Sequence, residues 1–134
     1  MMNKYIVDEL LPAAVNACSG IKDDGMRNNL SALGATIIMS GLLPAMAVYS
    51  KKEKKDTLLL LEKIGKDVTV CKLIPKLYEV SANCKPGEIF AKALDMRNNN
   101  GDMKQLEEDV INCIIALKLA LDACVKSGSA EIGG

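Results

Sequence analysis

The chain has 134 residues, 17 basic and 17 acidic side chains, 49% hydrophobic residues and only 3% aromatics. That length suits one compact domain, and the apolar share excludes a chain too polar to fold. The zero formal charge excludes a uniformly cationic nucleic-acid binder, and the absence of histidine removes the commonest general base and metal ligand.

The apolar mass is Leu, Ile, Ala, Met and Val, and the good helix formers among them favour an all-α domain over a sandwich or barrel. Periodicity predicts about seven helical segments. The first covers about 4–21, with Ile6, Leu10, Ala14, Ala17 and Ile21 on one side and Pro12 inside it. Asp23-Asp24-Gly25 breaks the chain. The second carries Met26, Leu30, Leu33 and Ile37, a regular stripe. Gly41 offers a stop, and Pro44 suits the first turn of a third helix over about 42–50.

A fourth helix is expected over about 56–64, with Asp56 as its cap and Gly65 as its terminator. A fifth is expected over 68–83, with Pro75 kinking it or starting it anew. Pro86 begins a sixth over 86–96, and Asn98-Asn99-Asn100-Gly101 ends it. The seventh, about 103–126, is the longest. Between Val110 and Val125 its polar residues are Asn112, Lys118 and Asp122, which share one sector. A helix so apolar should be wrapped by neighbours and form the centre of the bundle. The expected architecture is a single compact all-α bundle of six to seven helices over 1–127, with a disordered tail at 128–134.

Candidate chemistry is sparse. Cys18, Cys71, Cys84, Cys113 and Cys124 contain no Cys-x-x-Cys pair and read as core or reduced thiols. Their scatter, and an apolar N-terminal run interrupted by Asp8 and Glu9, fit a cytoplasmic protein. Ser19-Gly20-Ile21-Lys22 matches Ser-x-x-Lys without its companion motifs. Glu107, Glu108 and Asp109 suit the start of a helix, where the dipole favours acids, and are expected at the solvated surface. The seven Met residues fall mostly on helical stripes and read as core. No cofactor, metal site, membrane span or catalytic group is expected.

Charge is unevenly spread. Residues 51–85 hold nine Lys against five acids, a local excess balanced by acids elsewhere. Lys51, Lys52, Lys54 and Lys55 are the densest group, with Lys22 and Arg27 as weaker candidates beside the first interhelical turn. Such a group is either a solvated surface or a set of phosphate contacts blind to base sequence. With so few aromatics, base stacking is not expected.

Residues 40–52, SGLLPAMAVYSKK, preceded by SALGATIIM, resemble the small helical subunit of the type III-B CRISPR effector, the Cmr complex. The pattern is an apolar helix, a Gly-Leu step, a second apolar helix ending near an aromatic (here Tyr49), and a lysine-bearing turn. The final helix, ending ALKLALDACVK, is also similar, while 56–101 correspond by helix count. The resemblance implies a non-catalytic subunit whose partners are other effector subunits, further copies of itself and the backbone of the guide RNA/target RNA duplex. The related type III-A small subunit and a helical protein-protein adaptor without RNA contact are the alternatives.

Overall fold

The computed structural model describes residues 3–21, 24–51 and 53–133, excepting the side chains of Asp24 and of 124–133. Within them the protein is all-helical. Helices α1 (Lys4–Ala17), α2 (Asp24–Ser40), α3 (Leu42–Tyr49), α4 (Lys55–Gly65), α5 (Pro75–Ala82), α6 (Ile89–Asn98) and α7 (Met103–Gly133) follow one another, with a 3-10 turn at Val68–Val70. The expected long C-terminal helix is present, and α1, α2, α4 and α5 all pack against it. The expectation of a disordered tail falls on 128–134, whose side chains lie outside the described residues.

The apolar stripes bury as their spacing requires. Leu30, Leu33 and Ile37 of α2 and Val110, Ile114, Leu117 and Leu121 of α7 are buried in one continuous core. Helix α1 packs against α7, and Ala13, Ala14, Ala17, Ala116 and Ala120 are all buried in the core; such small side chains let helices approach closely. Gly41 adopts φ 94°, a conformation that suits glycine, and separates α2 from α3.

Several boundaries differ from expectation, each for a local reason. Helix α1 accommodates Pro12 but stops at Ala17, because Cys18 caps it and Gly20 at φ 88° turns the chain. Asp56 lies within the first turn of α4 and does not cap it; that N-cap, Lys54, supplies no side-chain bond. Gly65 is the last residue of α4, and its smallness serves packing: a Cβ there would fall on Ser81 Oγ, with Ser81 Cβ at 2.9 Å and Leu77 Cγ at 3.1 Å. The expected fifth helix is split. Asp67 caps the 3-10 turn through Thr69 N–H, and Pro75 starts α5 at its first position. Helix α6 begins at Ile89, beyond the turn containing Pro86 and Gly87. It ends as the Asn run implies, with Asn100 at φ 60° and Gly101 N–H donating to Met96 carbonyl at 2.8 Å.

Two further differences concern polar residues of α7. Asn112 is buried, not solvent-facing, and its Oδ1 accepts from Asn3 N–H at 2.9 Å. Asn3 in turn caps α1 by accepting from the N–H groups of Tyr5 and Ile6. Asp109 is also buried, contrary to the expected surface position. Its Oδ2 accepts from the N–H groups of Lys76 and Leu77 at 2.8 and 3.1 Å, and Gln105 Nε2 donates to its Oδ1 at 2.7 Å. Met46 and Met96 are core as expected, but Met39 is exposed.

Candidate nucleic-acid interface

The turn between α3 and α4 carries the basic group. Helix α3 ends on Tyr49, whose ring is buried and whose phenol is pushed up in pKa by that burial. Ser50 Oγ donates to Met46 carbonyl at 2.7 Å, and Lys54 N–H donates to Lys51 carbonyl at 2.9 Å. The backbone is thus held between two helices while the side chains of Lys51, Lys54 and Lys55 stand in solvent. Lys54 Nζ lies 5.0 Å from the centre of the Tyr49 ring, within cation–π range. None of these three lysines pairs with a carboxylate among the described residues, where the ion pairs are Arg27–Asp122 and Lys76–Glu79. Their charge is therefore available to an anion. Lys52 and Lys22, the other expected contacts, lie outside the described residues.

Arg27 is placed differently. In the first turns of α2, its Nε donates to Asp122 Oδ1 of α7 at 2.6 Å, with both side chains half exposed. The pair ties the two helices and neutralises the guanidinium, so Arg27 is a structural contact in this arrangement.

Two buried carboxylates were missed by sequence reasoning as special residues. Glu62 of α4 accepts from Gly87 N–H at 3.1 and 3.2 Å, with Ile89 N–H and the Cys84 thiol beside it. Burial raises the pKa of Glu62, partly offset by those donors and by Lys66. Burial likewise raises Asp109, partly offset by Gln105, Leu77 and Lys76, while neighbouring Glu108 adds to the rise. A signal existed: Glu62 occupies an apolar-stripe position, four residues after Leu58 and three before Gly65, where a carboxylate must find internal donors. Asp109 is taken up by the N-terminus of α5 and Glu62 by the turn that leads into α6.

Cys84 and Cys113 are not activated nucleophiles. Burial pushes the thiols of Cys84 and Cys113 up, and carboxylates add to this, Glu62 at Cys84 and Asp109 at Cys113. Among the described residues no group of three or more His, Cys, Asp or Glu side chains gathers to hold a metal ion. No described helix is long and apolar enough to cross a membrane. An open hollow of about 520 Å³ beside Leu43, Pro44, Met103 and Ile111 carries Arg97, Lys104, Glu107 and Glu108 at its margin, an arrangement of mixed charge with no reactive group. Compared with known proteins, the chain matches no family model, no curated protein and no solved structure.

Proposed function

We propose that this protein is a non-catalytic, RNA-contacting structural subunit of a CRISPR ribonucleoprotein of type III-B. In this reading it works in the cytoplasm, and copies stack head to tail into a short filament along the guide RNA/target RNA duplex. The observation that carries the RNA contact is the α3–α4 turn, where Lys51, Lys54 and Lys55 are exposed and have no carboxylate partner among the described residues. Such a turn can neutralise phosphates without reading bases. The resemblance of 40–52 supplies the type of assembly. Two or three contacts bind weakly alone, and repetition along a duplex adds them.

A protein-only adaptor is the second reading, and one observation favours it. Ile38 and Met39, at the end of α2, are 73% and 85% exposed, an apolar pair suited to a protein contact. The deciding experiment replaces Lys51, Lys52, Lys54 and Lys55 with Ala in the complex purified from its host. The RNA reading expects an intact fold, weaker RNA retention and a flatter dependence on salt. Unaltered retention and salt dependence would return the function to protein scaffolding. Native mass spectrometry of the same complex should show more than one copy, and a single copy would end the filament.

A further inference from the structure

Helix α4 is enclosed almost all the way round. From 55 to 66, only Lys55, Asp56, Leu59, Lys63 and Lys66 are not buried. At ~100° per residue these five fall within one sector of about 100°, so α4 reaches solvent through a single narrow stripe. Three of the five are lysines, and none pairs with a carboxylate among the described residues. Glu62, beside Lys63 in sequence, is turned inward onto Gly87 N–H, where Lys66 still acts on it electrostatically, and Asp67, beside Lys66, accepts from Thr69.

The stripe is continuous with the α3–α4 turn at Lys55 and extends roughly 16 Å to Lys66. There it opens onto a shallow hollow of about 210 Å³ between α1 and α4, lined by Ala13, Asn16, Ala17, Lys63, Lys66 and Asp67. The two alanines keep the floor low, the exposed Asn16 amide supplies a neutral donor, and Asp67 directs Oδ1 to Thr69 N–H and Oγ1 at 2.9 and 2.6 Å. Lysines at a helix C-terminus are favoured by the helix dipole whatever their function. The dipole alone does not account for Lys55 at the other end of the same stripe.

We propose that the exposed stripe of α4, Lys55, Lys63 and Lys66 with the hollow against α1, is a phosphate-contact site that extends the α3–α4 turn and takes the backbone of one RNA strand. This rests on the reading that the chain contacts RNA. Each lysine that neutralises a phosphate releases counterions, so the site is read from the slope of log affinity against log salt.

The test uses the full-length protein and a fluorescein-labelled RNA duplex, followed by anisotropy over a KCl series, with thermal melting of each variant. Lys63→Ala/Lys66→Ala should flatten the slope by about 1.4–1.8, two contacts' worth. Lys85→Ala/Lys104→Ala, which removes equal exposed charge elsewhere, should leave it unchanged. If the alanine pair melts early, Lys63→Gln/Lys66→Gln keeps the side-chain stems and takes its place. An unchanged slope in the Lys63/Lys66 variants, with a flattened one in Lys51→Ala/Lys54→Ala, would overturn this site and leave the RNA reading standing. Equal flattening by the Lys85/Lys104 pair would overturn it in favour of diffuse charge. A wild-type protein that does not bind the duplex would overturn both.

Discussion

Helices α1, α2, α3 and α7 are held together mainly by apolar contact, whereas α5 and α6 are anchored by buried carboxylates reaching from α7 and α4. In the first region Leu10, Leu30, Leu33, Met46 and Leu117 are fully enclosed, and polar links sit at the ends, at Asn3–Asn112 and Arg27–Asp122. In the second region α5 and α6 are short, 8 and 10 residues, and neither has a capping side chain of its own. Asp109 supplies the missing acceptor for the N-terminus of α5, and Glu62 does so for the approach to α6. Helix α3, as short as α5, orders through four buried side chains, Leu42, Ala45, Met46 and Tyr49, whereas α5 and α6 draw acceptors for their N-terminal N–H groups from other helices.

The comparison breaks most readily through the core. Leu117→Ala should cost on the order of 2–5 kcal/mol by chemical denaturation, because Leu117 is fully enclosed. A neutral result would remove α7 from the centre of the apolar region. In the anchored region, Asp109→Ala strands the buried Leu77 N–H, and that alone should cost about 1–3 kcal/mol. Amide exchange should accelerate at the start of α5 more than in α1; equal acceleration in both would dissolve the distinction between the regions. Gly65→Ala should destabilise by roughly 1–3 kcal/mol despite alanine's better helix propensity, because the added methyl meets Ser81 and Leu77.

A pH series sharpens the contrast. The folded-state pKa values of Glu62 and Asp109 are raised, so between the ordinary carboxylate value near pH 4 and the raised values the folded protein holds more protons than the unfolded chain. Their contribution is therefore most favourable below that ordinary value and is lost as pH rises through the folded pKa. Wild-type protein should gain stability on acidification relative to Glu62→Gln/Asp109→Asn. A difference independent of pH would show that burial does not perturb these groups.

The smallest effects lie at the periphery. Arg27→Ala should cost only about 0.2–1 kcal/mol, since the pair with Asp122 is half exposed. Ser81→Ala should be neutral or slightly stabilising, because the buried Ser81 hydroxyl has no hydrogen-bond partner among the described residues.

The sequence by itself determined the all-helical class, the stripe of α2, the break at Gly41, the Asn turn after α6 and the enclosure of α7. Each follows from spacing or backbone preference, which are local properties. It also marked the lysines at 51, 54 and 55, because a charge group beside an apolar helix end must face water. Only the tertiary structure decided what Asp109, Glu62, Asn112, Gly65 and Arg27 do. Apolar spacing marks Glu62 for burial, but no local property names the distant N–H that satisfies a buried carboxylate; Asp109 and Leu77 are 32 residues apart. Lys63 and Lys66 became notable for the same reason. Their neighbours on α4 turn inward, and that enclosure, created by helices distant in sequence, leaves the lysines as most of what α4 shows to solvent.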